Sequence, residues 1–367
     1  MKFTFDKDTM LKEISIAQEI IATKNALSIL SNVLFIAENN TLTIKATDIK
    51  VNFETKIPIE IETEGKTTIF CDKLMSILTS LPSGEVEFIQ DETKITIKPI
   101  AKKVKFQLKS MASDKFPEFI NTDEVNFIEV PIQDLKDMIT QTIFAVSDDE
   151  TRYFMNGVYF DKKDDALILV ATDGRRLSYI SKALYQGVQE FSPAIVPPKI
   201  LNIILKRAPN EGSISLAFVD NMIIVKFGNY IFTSVLIEGQ FPNYERVIPE
   251  KQDFTFEVDK KDLGDALKRV GLLVEQKSHR VYFALSDGLL TISSQESDIG
   301  SAKEEIPCKY SGEDITMAFN YIYIEEPMKV INTERIRFDF TSSMKAVTVK
   351  SEPEKDFFHI VMPMQME

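Results

Sequence analysis

Apolar residues recur at helical spacing in three places along the chain: Met10, Ile14, Ala17 and Ile21; Leu135, Met138, Ile139 and Ile143; and Leu263, Ala266, Leu267, Val270 and Leu273. Each set occupies one face, so each predicted helix has one side to bury. Strand-like runs follow at residues 42–46, 167–171 and 289–293, entered through the turn signals Asn39-Asn40, Asp164-Asp165 and Asp287-Gly288. A second, shorter helix pattern comes next in each case, at residues 74–81, 200–206 and 321–331. Residues 225–232 read as a hairpin with Gly228-Asn229 at its two-residue tip. Residues 103–109 alternate strictly, with Val104, Phe106 and Leu108 on one face and Lys103, Lys105, Gln107 and Lys109 on the other, which predicts a half-buried strand.

The same order of elements thus appears three times, and two short motifs fix the register of the repetition. Ala46-Thr47-Asp48 recurs as Ala171-Thr172-Asp173 and Phe116-Pro117 as Phe241-Pro242, both displaced by 125 positions. A period this long means that whole domains were copied. Polar stretches at Asn121-Thr122-Asp123-Glu124 and Pro249-Glu250-Lys251-Gln252-Asp253 mark the joints. The expected architecture is α+β: three tandem domains over residues 1–120, 128–247 and 253–367, each an antiparallel sheet with two helices.

Composition narrows the chemistry. A net charge of −13 over 367 residues argues against a generally basic nucleic-acid binder and leaves room for a local basic surface. The six helix patterns together sum to +1, leaving −14 for the rest, so a surface made of helices would repel a phosphate backbone least. Cys71 and Cys308 have no metal-ligand spacing around them and read as reduced, buried thiols; His279 and His359 are the only histidines, so neither a metal nor a cofactor is expected. The chain lacks phosphate-loop, dinucleotide, zinc-protease and serine-hydrolase motifs. Asp48 and Asp173 match across the repeat, but an Asp at such a strand end is usually a turn or cap residue. No catalytic group is therefore expected. The amino terminus lacks an apolar leader core and no run reaches about 18 apolar residues, which predicts a soluble, cytoplasmic protein.

Three features point to binding. Only the second copy continues its Ala-Thr-Asp as Gly174-Arg175-Arg176-Leu177, where a glycine free to take positive φ would present two charged tips over an apolar floor; a solvated turn is the other reading. The chain ends Val361-Met362-Pro363-Met364-Gln365-Met366-Glu367, a soft apolar surface suited to several partners, or simply methionines packed over a last core strand. The lysine-rich strand at 103–109 is either a protected edge or one that pairs with another subunit, its lysines meeting an acidic strand around Glu304-Glu305.

Taken together, the three copies, Arg152-Tyr153-Phe154-Met155-Asn156-Gly157, Ala171 through Leu177, Phe241-Pro242-Asn243-Tyr244, Tyr310-Ser311-Gly312, Phe319-Asn320 and Met362-Pro363-Met364 resemble the bacterial DNA polymerase sliding clamp family, the beta subunit of DNA polymerase III, over the whole chain. The resemblance implies a homodimeric head-to-tail ring with helices lining a hole for duplex DNA. It also implies a processivity function without catalysis, acting at the nucleoid during replication, and short-peptide docking of polymerase, clamp loader and repair proteins. Carried over position by position, the peptide pocket comprises Met155, Thr172, Gly174, Arg175, Arg176, Leu177, Pro242, Arg246, Val247, Val361, Met362, Pro363, Met364 and Met366. The subunit joint comprises Lys103, Lys105, Phe106 and Leu108 against Leu272, Leu273, Glu304 and Glu305, with Lys303 interrupting the acidic strand. Lys24, Lys199, Lys206 and Arg207 are the expected backbone contacts to DNA. The chain departs from the family's usual pattern at Arg175, commonly His, and at Met155 and Met366, commonly Leu, so peptide preference is expected to differ. The residues alone support a three-domain binding protein; a nucleotide-metabolising enzyme and a peptide-binding scaffold without a ring are the rival classes.

Overall fold

The computed structural model describes residues 1–21, 29–184 and 191–366, and its α-helices arise where the apolar spacing predicts them. Among these residues they are α1 (Lys7–Ile20), α2 (Cys71–Ser80), α3 (Ile132–Thr142), α4 (Pro198–Arg207), α5 (Lys260–Gly271) and α6 (Tyr321–Val330). Side chains cap three of them: Asp6 accepts from the Thr9 amide (2.8 Å), Asp259 from Lys261 and Asp262, and Asn320 from Ile322. Proline opens α4, where its missing N–H costs nothing, and Lys206 and Arg207 close it at the negative end of the helix dipole. Five predicted helix members fall outside, of which Ile21, Leu81 and Ile331 are the cap residues just past α1, α2 and α6. Ile143 begins a 3-10 turn after Thr142, whose hydroxyl bonds back to the Met138 carbonyl (2.9 Å), and Leu273 lies beyond the poor helix former Gly271.

The described chain falls into two units. The first contains Met1–Val130 and Ser213–Leu236, so four strands of the second copy join the first. Its five-stranded antiparallel sheet runs Glu60–Thr63, Lys2–Asp6, Glu85–Asp91, Lys94–Pro99, Phe106–Lys109. Its eight-stranded sheet runs Ile128–Pro131, Ser213–Val219, Met222–Phe227, Tyr230–Val235, Val51–Pro58, Thr41–Thr47, Asn32–Glu38, Gly65–Phe70. The join between copies is the ladder from Thr55↔Tyr230 to Val51↔Ser234, reinforced by Asn52 Nδ2 donating to Thr233 Oγ1 (2.8 Å). Met10, Ile14 and Ala17 of α1 are fully buried, as are Phe3 and Phe88, which stack at 4.7 Å. The hairpin forms as expected, Phe227 pairing with Tyr230 around Gly228 at φ +58, the positive φ that the first residue of such a turn requires.

The strand expected over residues 103–109 is shorter, Phe106–Lys109. Its ladder stops at Ile97↔Phe106, and the next outward donor on the neighbouring strand would be Pro99, which has no N–H. The alternation survives: Phe106 and Leu108 are half-buried, Gln107 and Lys109 exposed.

The second unit contains Pro131–Gly212 and Ile237–Glu367. One antiparallel sheet of twelve strands runs through it: Ala194–Val196, Val158–Lys163, Ala166–Thr172, Arg176–Ala183, Phe357–Val361, Val347–Glu352, Arg335–Phe340, Phe254–Asp259, Lys303–Lys309, Leu289–Ser294, Arg280–Ser286, Ile315–Asn320. Arg176–Ala183 and Phe357–Val361 are where the second and third copies meet. Among the described residues no helix is long and apolar enough to cross a membrane, and no His, Cys, Asp or Glu cluster has a metal-binding arrangement.

Candidate functional site

The repeated Ala-Thr-Asp forms the same turn in both copies. Thr172 Oγ1 accepts from the Gly174 amide (3.1 Å) and Asp173 Oδ1 from the Arg175 and Arg176 amides (2.8 and 3.1 Å). Thr47 and Asp48 make the equivalent bonds to Ile49, Lys50 and Val51 (2.8, 3.0 and 2.6 Å). Both aspartates are therefore turn caps, the structural role that the residue pattern favours over acid–base work. The turn needs a left-handed residue at its third position: Gly174 sits at φ +87 and Ile49 at φ +80, a conformation that strains a β-branched side chain.

What differs is the floor. In the second unit Leu177 pairs with Ile360, and both belong to a buried cluster with Ile168, Val170, Ile195, Phe241 and Tyr244. At the matching register of the first unit stand Asn52 and Thr233, hydrogen-bonded to each other. Only the second unit thus places an apolar floor beside this turn.

Three segments surround that floor. The tail continues from the buried strand Phe357–Val361: the Met362 amide donates to the Arg175 carbonyl (2.9 Å) and the Met364 amide to the Ala318 carbonyl (2.7 Å). These bonds hold the terminus in place and leave Met362 42% and Met366 45% exposed. The 3-10 turn Tyr244–Val247 carries exposed Arg246 and half-exposed Val247 on a buried Tyr244, after half-buried Pro242. Met155 closes a third 3-10 segment, Glu150–Met155, in which Arg152 pairs with Asp149 (2.8 Å). Met155, Thr172, Leu177 and Val361 are buried, Leu177 within the floor cluster itself; Gly174, Arg175, Arg246, Val247, Met362 and Met366 face solvent, with Pro363 and Met364 half-buried. Glu367 lies outside the described residues.

Arg176 departs from the sequence expectation of two charged tips. Arg175 is exposed, but the Arg176 side chain is 11% exposed. Its Nε donates to Asp173 Oδ2 (3.0 Å), Nη2 to the Phe144 carbonyl (2.7 Å) and Nη1 to Glu326 of α6. The guanidinium also stacks over the Tyr323 ring, 4.6 Å from its centroid. Tyr323, Glu326 and Phe144 carry no sequence signal of this role; Tyr323 and Glu326 share a helix face, but a helix pattern does not say which arginine will meet it.

Beneath the same strands lies His359, 1% exposed, with Nδ1 3.0 Å from Ser178 Oγ and the ring against Phe144 and Phe357. Its Nε2 is buried without a hydrogen-bond partner, and burial pushes the imidazole from 6.5 down to about 3. The native ring stays neutral while the unfolded chain takes up a proton below about 6.5. Stability is therefore intact above that pH and declines as pH falls toward 3, by about 2 kcal/mol between pH 7 and 5 from this one group. Urea unfolding at those two pH values should show this loss in the native chain and a shallower one in His359→Asn; equal losses would refute the assignment.

The remaining expected sites lie elsewhere. Phe106 and Leu108 sit on the terminal strand of the five-stranded sheet, and Lys103 and Lys105 are exposed beside it. In the second unit, Leu272 (81% exposed) and Leu273 line a cleft of about 530 Å³ with Ile299 (88% exposed), an apolar residue that no periodicity singled out. Strand Lys303–Lys309 pairs with residues 289–293 on one side but on the other only through Cys308 and Lys309, leaving an open edge at 303–306. Glu304 is already held by Arg269 (2.8 Å) and Glu305 by Lys303 (2.9 Å). Lys199, Lys206 and Arg207 all lie on α4, with Lys206 exposed; Lys24 lies outside the described residues.

Similarity to known proteins spans the whole chain. Residues 1–120, 129–243 and 245–365 match the DNA polymerase III beta subunit N-terminal, central and C-terminal domains in turn. The chain is 48% identical to the beta sliding clamp of Treponema pallidum, covering all of both chains. Its fold matches the crystal structure of the Pseudomonas aeruginosa DNA polymerase III subunit beta with a TM-score of 0.95 at 28% identity, again over all of both chains. A further Pseudomonas aeruginosa clamp structure, bound to griselimycin, matches over both full chains with a TM-score of 0.94 at 28% identity.

Proposed function

Because the chain belongs to the DNA polymerase III beta subunit family, the beta sliding clamps, we propose that two copies form a ring around duplex DNA, tether the replicative polymerase and recruit clamp loader and repair proteins. The full-length match of three consecutive domains carries this reading. The protein acts by enclosure and has no catalytic role. It works in the cytoplasm, on replicating DNA.

Two open strand edges support the ring. Edge Phe106–Lys109 of one copy pairs with edge 303–306 of the other, and Phe106 and Leu108 cover Leu272, Leu273 and Ile299. With Glu304 and Glu305 occupied within their own chain, apolar burial supplies most of the joint, and Lys103 and Lys105 contribute mainly to orientation. DNA contact by Lys24, Lys199, Lys206 and Arg207 is weak and salt-sensitive, as sliding requires.

Partner peptides lie on the floor of Leu177 and Ile360, flanked by Pro242, Arg246 and Val247 on one side and Met362, Pro363, Met364 and Met366 on the other. Met155, Thr172 and Val361 support that floor, and Gly174 lets the turn approach closely. Exposed Arg175 favours an acidic group on the bound peptide. Griselimycin, to which a Pseudomonas aeruginosa clamp is bound, is expected to bind this chain too, and this floor is the surface proposed for it.

Retention on DNA tests enclosure. Loaded clamp should stay on a closed circle for many minutes and leave within seconds of linearisation, because a ring slides off a free end. Equal retention on both forms would favour a groove binder.

A further inference from the structure

The docking surface is assembled from the turn 172–176 and the tail 362–366, and a closed set of contacts fixes their spacing. The tail is bonded to the turn through the Met362 amide and to Ala318 through the Met364 amide. Ala318 lies in the strand Ile315–Asn320 that leads directly into α6. Helix α6 returns to the turn through Glu326, which pairs with the buried Arg176 guanidinium, and through Tyr323, on which that guanidinium stacks. Arg176 in turn holds Asp173 Oδ2, while Oδ1 of the same carboxylate caps the amides of Arg175 and Arg176. One acidic side chain on α6, 150 residues from Arg176, is thus tied through the guanidinium to the turn that presents Gly174 and Arg175.

We propose that Glu326 is a positioning residue for peptide docking, acting through Arg176 to hold the turn at the spacing that the anchored tail demands. The inference rests on the docking surface proposed above. It does not require Glu326 to touch a ligand. Neutralising Glu326 leaves the guanidinium with Asp173 as its only anionic partner beside the Phe144 carbonyl and the Tyr323 ring, so its position, and with it the turn's, is held less firmly. The pairing of residues 176–180 with 357–361 involves backbone groups alone and survives the change.

The test compares full-length wild type, Glu326→Gln, Glu326→Asp, Arg176→Gln and the Arg176→Gln/Glu326→Gln double variant. Griselimycin affinity, melting temperature and solution mass are measured for each. Glu326→Gln should bind roughly tenfold more weakly with melting temperature and mass nearly unchanged, and Glu326→Asp should recover most of the affinity. Adding Glu326→Gln to Arg176→Gln should cost little more, since the shared contact is already gone. Wild-type affinity in Glu326→Gln, fully additive losses in the double variant, or a loss that follows the melting temperature and is not rescued by Asp would each overturn the proposal. Failure of the wild type itself to bind griselimycin would instead remove the docking surface, and this inference with it.

Discussion

Replacing Phe106 and Leu272 together with aspartate should convert the protein into monomers of 41.8 kDa that no longer persist on circular DNA. Leu272 and Ile299 are 81% and 88% exposed in the single chain, and Phe106 sits on an unpaired strand edge. Burying each such side chain contributes about 1.5–3 kcal/mol. Placing a carboxylate there removes that gain and adds the cost of an unpaired charge. Two replacements should weaken the dimer at least a thousandfold, about 4 kcal/mol. Ile299→Asp alone should act in the same direction and less strongly. Sedimentation across a range of concentrations reads this directly, and a persistent two-chain mass for the double variant would remove the joint as assigned. Since Glu304 and Glu305 already have partners, raising the salt concentration should weaken the dimer much less than these substitutions do.

Ending the chain after Val361 should reduce griselimycin affinity at least a hundredfold and leave the dimer intact. The truncation removes the exposed Met362 and Met366 and the two backbone bonds that fasten the tail to Arg175 and Ala318. It spares the buried strand Phe357–Val361 and its ladder with Arg176–Ile180. Losing two apolar contacts of about 1.5 kcal/mol each, together with a preorganised wall, accounts for the size of the effect. Undiminished binding by the truncated chain would place the peptide elsewhere. A melting temperature lowered by tens of degrees would show instead that the tail is part of the core.

Helix positions were legible because amphipathic spacing is a local property: Met10, Ile14 and Ala17 are buried as a set because three- and four-residue steps put them on one face. The duplicated turn was legible because Thr and Asp cap their own backbone within four residues. Arg175 and Arg176 were not separable in this way. Arg175 is the last residue of the turn and Arg176 the first of its strand, and which of the two is buried depends on Glu326 and Tyr323, far along the chain. Ile299 was hidden for the opposite reason, since a single apolar residue in a polar loop has no period to reveal it.

By itself the sequence determined the threefold repetition, the α+β character, the order of helices and strands, and the one copy in which a glycine-bearing turn leads into Leu177. All of these follow from periodicity and short-range bonding. Only the tertiary structure decided that strands from neighbouring copies share one sheet, that Leu177 meets Ile360 where the other copy has Asn52 and Thr233, and that Arg176 is a buried tie while Arg175 faces solvent. Each of those outcomes depends on strand register and on partners more than a hundred residues away. No local pattern encodes the closing of such distances; long-range backbone pairing and the need to satisfy a buried charge bring those residues together.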